Sequence, residues 1–560
     1  VPPIDPAIPL RGTRTMLGQM QHRPLRIIDI LTYAAEAFPE QGLVSVRDEG
    51  DIHRSTYPET LARVGQLAHA LDALDLKTGD RIATLAWNGY RHFELYYAIA
   101  GIGGVCHTIN PRLPPEQMQY ILDHAQDSAI CVDISLVPLL EKVTLPEGCR
   151  VIVLTDDDHM PDAPDGALAY EDLLADQPQT YDWPSFPEDT AAGLCYTSGT
   201  TGNPKGALYS HRSTVLHALL VIAGHPQSLR HGSRVLPVVP LFHVNAWGMP
   251  YTAPLAGMTM VMPGRHLDGA SLYDLMEAEQ VFSAWGVPTV WAGLQQEIAK
   301  RGTPPNGFKD LVVGGSAAPR SMIAAFEEMG VNVNQAWGMT EMSPIGTRGI
   351  LPSHLADASF DERVDAKVGA GRRLFGVEFK LKDDDGNLVR HDGETPGELF
   401  VRGSTVISGY YENDEATSAA MDEDGWFGTG DVATVDANGR LIVRDRAKDL
   451  VKSGGEWISS IDLENAAISH PLIDTCAVIA VPHPKWDERP VLVVVPAGDE
   501  KPTLADIHAH LEPHFAKWQM PDDILFTDAL PLTATAKVSK LTLREQFSDY
   551  VHPDLREDGA

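Results

Sequence analysis

The chain has 560 residues, 43% of them hydrophobic and 22% charged, which suits a globular protein and is too long for a single core. A formal net charge of −33 excludes a broad nucleic-acid-binding surface and opposes docking on anionic membranes. No apolar run reaches the length of a bilayer span, so no membrane insertion is expected.

Residues 1–25 read as an irregular, proline-punctuated segment, with Met16 an alternative start. The first residues carry neither a basic stretch nor an apolar h-region, and the last match no lipidation or peroxisomal signal. Five cysteines (Cys106, Cys131, Cys149, Cys195, Cys476) are dispersed without metal spacing. Reduced thiols and a cytoplasmic location are the expectation.

Helical periodicity runs from Ile27 to Phe38 and again from Leu61 to Leu74, with Pro58 where a helix start tolerates it. A strand at Arg81–Ala86, a helix at Phe93–Ile102 and strands at Ile130–Val132 and Val151–Leu154 follow. Further strands are expected at Arg234–Val239, Ser283–Val287 and Leu311–Val313. Such alternation predicts open α/β layers, in a domain spanning 26–447. From about 375 to 447 short alternating segments (Glu378–Leu381, Gly397–Val401, Val432–Val435, Leu441–Val443) sit between Asp/Gly turns and predict an antiparallel, barrel-like β subdomain. The charged stretch Asp445–Asp449 offers no apolar anchor and marks a boundary. Residues 448–560 then predict a small mobile α+β lid. Its elements are a helix opening at Ser459 with Asp462 completing a capping box, strands at Cys476–Val481 and Val491–Val495, and a helix at Leu504–Trp518.

The most informative stretch is Thr197, Ser198, Gly199, Thr200, Thr201 and Gly202, followed by Lys205, between an apolar run and a helix opening at Ser210. Glycines let successive N–H groups converge, hydroxyls add neutral donors, and Lys205 supplies mobile positive charge, so the stretch reads as a polyphosphate cradle. It is not the common P-loop, because Gly206 and Ala207 follow the lysine where Ser/Thr would be needed. Five other segments share the theme. His243 and Trp247 stand at a strand exit. Gly314, Gly315, Ser316 and Ala317 form a small-residue turn that backbone or ligand can approach closely. Ala336, Trp337, Gly338 and Met339 lead into Thr340 and Glu341, a hydroxyl beside a carboxylate; a carboxylate near a triphosphate needs a cation, so these two read as phosphate and magnesium ligands. Asp431 is presented from a glycine-rich turn, suited to ribose hydroxyls, and Arg446 is its expected partner ahead of the tight turn Ser453, Gly454, Gly455 and Glu456.

Taken together and in this order, these motifs resemble the adenylate-forming superfamily, and the resemblance runs from about Met16 to the end. Trp87-Asn-Gly-Tyr-Arg-His-Phe93, His107-Thr-Ile-Asn-Pro-Arg112, His243-Val-Asn-Ala-Trp247 and His483-Pro-Lys-Trp-Asp-Glu-Arg489 narrow it to the medium-chain acyl-CoA synthetase branch. The similarity is greatest to the medium-chain fatty acid–CoA ligases and the bacterial 3-(methylthio)propionate–CoA ligases of dimethylsulfoniopropionate breakdown. That resemblance implies an ATP-dependent acid–CoA ligase with ATP, Mg2+ and CoA, working through an acyl-adenylate. It implies that Thr197 to Lys205 hold phosphates, with Thr200 and Glu341 at the metal, and that Asp431 and Arg446 grip the ribose. It also implies that the 314–317 and 336–339 segments flank adenine and acyl group, and that His243, Trp247, Gly314 and Trp337 border the acyl pocket. Lys537, on the lid, is implied as the adenylation lysine, Lys448 as the hinge, and Ser453 to Glu456 with Lys485 and Trp486 as CoA contacts. Thr340, Glu341 and His243 complete the catalytic set. One departure is Ala536, where the family usually has Gly; a positive φ there would cost ~1 kcal/mol. Family members are often dimers. A long-chain fatty acid–CoA ligase, an aryl-CoA ligase, a luciferase-like oxidase, an adenylation module and an inactive nucleotide-binding regulator are the alternatives.

Overall fold

A computed structural model describes residues 18–197, 203–454, 456–533 and 537–555. Ser198, Gly199, Thr200, Thr201, Gly202, Gly455 and Ala536 therefore lie outside the described residues. The fold is multidomain α/β and α+β. Among the described residues, two seven-stranded sheets dominate. In one, Arg81–Leu85 and Ala191–Tyr196 flank Val105–Thr108, all parallel, and Gly206–Ser210 closes the edge antiparallel to Ala191–Tyr196. In the other, Arg234–Pro237 lies centrally, parallel to Thr259–Met262 on one side and Ser283–Gly286 on the other, with Asp310–Val313 and Asn332–Gln335 beyond. The chain thus leaves Arg234–Pro237 in one direction and later returns across it. Such a reversal opens a crevice at the carboxyl ends of parallel strands, where ligands of open α/β sheets bind.

A six-stranded antiparallel sheet joins Thr347–Arg348, Gly371–Arg373, Arg440–Arg446, Phe427–Val435, Gly397–Gly403 and Val377–Lys382. It begins upstream of the expected residue 375 because Gly371–Arg373 pairs with Arg440–Arg446. The last sheet pairs Ile473–His483 with Asp487–Pro496 and adds Asp523–Phe526, Val451–Ser453 and Glu456–Ile458. Its core (Val478, Leu492, Val494, Ile507, Leu511) packs separately from the large apolar cluster around Phe93, Tyr97 and Trp285.

Local chemistry explains several boundaries. The second helix starts at Tyr57, with Pro58 in its first turn as the sequence suggests, because Thr56 caps it and Glu59 closes a reciprocal capping box. Ser210 and Ser213 do the same for His211–Gly224. At the lid helix Ser460–Ala467, Ser459 accepts from the Asp462 N–H, but the Asp462 carboxylate turns toward Arg444, so only half the expected capping box forms. The expected Leu504–Trp518 helix stops at Leu511, since Pro513 cannot donate, and resumes only as one turn at Lys517–Gln519. No helix among the described residues is long and apolar enough to cross a membrane.

Candidate active site

Thr197, His243 and the 314–317 and 336–341 segments follow the carboxyl ends of parallel strands. Tyr196 ends its strand and Thr197 follows; Thr197 N–H donates to the Lys205 carbonyl at 2.9 Å, and Lys205 N–H donates to Thr197 Oγ1 at 3.2 Å. These two bonds close the base of the loop. The Lys205 ammonium stands 5.1 Å from the centre of the Tyr410 ring, and the Tyr410 hydroxyl donates to Glu341 Oε1 at 2.8 Å. Glu341 is buried, which pushes its carboxyl up, while the Tyr410 bond and the nearby Arg446 and Lys205 cations pull the other way. Thr340 is held by its carbonyl, which accepts from Tyr209 Oη at 2.6 Å. The strand Asn332–Gln335 before this pair carries three amide side chains. Its Asn334 donates to Asp310, and Gln335 accepts from the Ala318 N–H at 2.9 Å, tying the 314–317 turn to the 336–341 segment.

Asp431 lies within the Phe427–Val435 strand rather than on a turn, directly opposite Arg446 on Arg440–Arg446. Arg446 Nε stands 2.9 Å from one carboxylate oxygen, and Trp337 Nε1–H donates to the other at 2.9 Å. Trp337, expected at both adenine and acyl group, is thus fixed against Asp431, with its ring 5.9 Å from that of Phe379. Gly338 is obligatory: a Cβ there would stand 2.0 Å from the Pro344 carbonyl oxygen.

Lys537 reaches the same place from the lid. Its Cε lies 3.5 Å from the position a Cβ would take on Gly315, and its charge is felt by His243 on one side and by Arg446, Asp431 and Glu341 on the other. Burial, and then Arg446, lower its amine from the ordinary lysine value to about 8, against Asp431 and Glu341. His243 is pushed down to about 3 by burial and by the Lys537 and Arg112 cations, so its imidazole is neutral at physiological pH. It can orient a ligand but carries no charge to it.

After His243 the backbone does something the sequence did not announce. Val244, Asn245, Ala246 and Trp247 all have positive φ, at 48°, 54°, 46° and 57°. Each costs ~1–2 kcal/mol for a residue with a Cβ, and such strain clusters at functional sites. The turn swings the Trp247 indole over the glycine pair, where a Cβ on Gly314 would stand 2.8 Å from the ring. It also buries the Asn245 amide against Tyr96 Oη at 3.0 Å and Cys195 Sγ at 3.4 Å.

Lys205, Glu341, Asp431, Arg446, His243 and Lys537 therefore converge, with Gly315 beside the lysine stem. The expected CoA contacts collect elsewhere on the lid. Gly454 N–H donates to the Trp486 carbonyl at 2.7 Å, Arg489 bonds Ser453 Oγ at 2.9 Å, Glu456 pairs with Ser453 across the hairpin, and the Lys485 ammonium lies 4.5 Å from the Trp486 ring centre. Lys448, in the turn after Arg446, has its amine lowered by burial and by the Arg446 and Arg544 cations, against Asp449. Sequence reasoning missed Tyr410 and Tyr209. Tyr410 lies in Gly409-Tyr-Tyr-Glu412, an aromatic pair with no charge or spacing to flag it.

The AMP-binding enzyme family matches residues 31–411, and the AMP-binding enzyme C-terminal domain matches residues 462–537. The 3-methylmercaptopropionyl-CoA ligase of Ruegeria lacuscaerulensis is 47% identical over 539 residues, covering 95% of this chain and 99% of that one. The medium-chain-fatty-acid–CoA ligase of Ectopseudomonas oleovorans is 44% identical over 538 residues, at 95% and 98% coverage. The long-chain-fatty-acid–CoA ligase of Thermus thermophilus is 45% identical over 534 residues, at 95% and 97%. In fold, the anthranilate CoA ligase AuaEII in complex with anthranoyl-AMP superposes with a TM-score of 0.81 at 24% identity, over 94% of this chain and 98% of that one. The chain belongs to the AMP-binding enzyme family and is an acid–CoA ligase.

Proposed function

We propose that the enzyme activates a short or medium-chain carboxylate, 3-(methylthio)propionate being the leading candidate, and passes it to CoA. The single observation that supports this most is the convergence of Lys205, Glu341, Asp431, Arg446 and Lys537 on one place from separate strands and from the lid. In the first step a carboxylate oxygen attacks the α-phosphorus of ATP, forming one P–O bond as the bond to pyrophosphate breaks. In the second, the CoA sulfur attacks the acyl carbon, the C–O bond to AMP breaks, and the thiol proton leaves to solvent.

Negative charge builds on the leaving pyrophosphate, so preorganised cations are the main catalytic asset. Lys205 and Thr197 would hold the outer phosphates. Lys537 would bridge the incoming carboxylate and the α-phosphate, and Asp431 with Arg446 would hold the ribose hydroxyls. Glu341 fits a Mg2+ ion, being a buried hard-oxygen ligand whose burial disfavours its own charge unless a cation offsets it. Bound there, Mg2+ would neutralise phosphate charge. His243, neutral, would orient the carboxylate beside Trp247 and Gly314 at the acyl group. In the second step the lid would turn about Lys448, withdrawing Lys537 and bringing Ser453 to Glu456, Lys485 and Trp486 toward the pantetheine.

The leading substrate rests on the Ruegeria ligase, and the fatty acids on the Ectopseudomonas and Thermus ligases. Steady-state comparison of 3-(methylthio)propionate, butyrate and octanoate decides between them. A kcat/KM highest for the thioether acid supports the leading reading; octanoate preferred by tenfold or more replaces it with the fatty-acid reading.

A further inference from the structure

The stretch Asp445–Asp449 offers no apolar anchor in the sequence, yet Asp445 is 1% exposed. It sits on the Arg440–Arg446 strand, opposite Val432, beside Arg446. Neighbouring strand residues face opposite sides, so Arg446 turns to Asp431 while Asp445 turns to the lid. One Asp445 oxygen accepts from the Arg446 N–H at 2.8 Å; the other accepts from the Ser460 N–H at 2.7 Å and from the Ser460 hydroxyl. The Ser460 hydroxyl in turn accepts from the Lys540 ammonium, which pairs with Glu464 at 2.7 Å. Next door, Ser459 Oγ–H donates to the Arg444 carbonyl at 2.6 Å. The N-terminus of the Ser460–Ala467 helix is thus bolted to the end of the nucleotide-side strand by charge-assisted bonds. Lys448 lies between the two halves of the bolt in sequence. Any rotation of the lid about Lys448 must part Ser459 and Ser460 from Arg444 and Asp445.

We propose that Asp445 is a positioning residue: its bonds to Ser460 latch the lid in the orientation that carries Lys537 into the site, and so set how the enzyme divides between its two half-reactions. The latch rests on the two-step, turning-lid reading above. A purely structural alternative is that Asp445 caps the lid helix and travels with it, in which case weakening the bond would not change the division. Losing a charge-assisted bond shifts a two-state equilibrium by roughly ten- to a hundredfold, so the division should respond strongly if the bond breaks during turnover.

The test uses the full chain and the variants Asp445→Asn and Ser460→Ala. Carboxylate-dependent ATP–pyrophosphate exchange reads the first half-reaction, and thioester formation from supplied acyl-adenylate and CoA reads the second. The latch predicts that both variants lower exchange by roughly tenfold or more while thioester formation is kept or raised, and that the double variant adds little to either single one. It also predicts faster acetylation of Lys537 by acetic anhydride, read by peptide mass spectrometry, because the amine leaves its enclosure. Equal loss in both half-reactions with Lys537 labelled at the wild-type rate overturns the latch, as does an unchanged ratio. Absence of exchange in the wild type with every carboxylate supplied overturns the underlying reading instead, so the two failures are distinguishable.

Discussion

The enclosure of Lys537 makes a prediction that pH alone tests. Burial and the Arg446 cation lower its amine to about 8. In the proposed mechanism the charged form would stabilise a pentacoordinate phosphorus and an incoming carboxylate, so activity should be carried below that value and lost above it. One pH unit above the pKa only about one amine in ten remains protonated, so kcat/KM for adenylation should fall roughly tenfold per unit from about pH 8 upward. The kcat limb should lie higher, because bound ATP brings negative charge that favours the ammonium. His243, near about 3, stays neutral through this range and contributes no limb. The assay is initial-rate ATP–pyrophosphate exchange between pH 6 and 10 at saturating and limiting ATP. Lys537→Arg keeps a cation that does not titrate, and should lose the alkaline limb whatever its absolute rate. A flat kcat/KM profile to pH 10 in the wild type, or a limb that survives in Lys537→Arg, would refute the assignment.

Other perturbations have defined outcomes. Lys537→Ala should lower exchange by roughly 10²–10³-fold, the loss for one transition-state donor, while thioester formation from supplied acyl-adenylate is spared; single-turnover assays of each step check it. Tyr410→Phe removes the bond to Glu341, so the Mg2+ concentration for half-maximal exchange should rise several-fold, to about tenfold; an unchanged metal titration counts against Glu341 as the ligand. Gly314→Ala puts a methyl 2.8 Å from the Trp247 ring and 2.9 Å from the Ala336 carbonyl oxygen, and should cost ~1–3 kcal/mol in stability or acyl kcat/KM. Ala246→Gly relieves one left-handed residue and should raise the denaturant midpoint by about 1 kcal/mol equivalent.

Much of this site was legible because its parts are chemically marked. Lysine among glycines, a hydroxyl beside a carboxylate, and Asp431 ahead of Arg446 stand out by residue type, and the structure brings them together. What stayed hidden is what acts through geometry. Tyr410 becomes the keeper of Glu341 only when the 397–435 sheet folds against the 336–341 segment. Trp337 belongs with Asp431 only once the two seven-stranded sheets and the antiparallel sheet meet. The left-handed turn at Val244–Trp247 carries no glycine until Gly248, so composition hides it. Residues 445–449 show the reverse case: the sequence offers no apolar anchor there, yet Asp445 is buried and bonded to Ser460 through polar contacts that residue type alone does not reveal. The helix end missed at Leu511 is set by Pro513, and the half of the capping box missed at Ser459 by an Asp462 carboxylate that turns to Arg444.

The claim that separate stretches and a lid lysine surround one mononucleotide is tested most directly by following ATP–pyrophosphate exchange and AMP release together, with and without CoA. The account predicts carboxylate-dependent exchange in the absence of CoA, multiple-turnover AMP release only when CoA is added, and loss of exchange in Lys205→Ala, Asp431→Ala and Lys537→Ala alike. Exchange that survives in all three variants, or that never occurs without CoA, would contradict it.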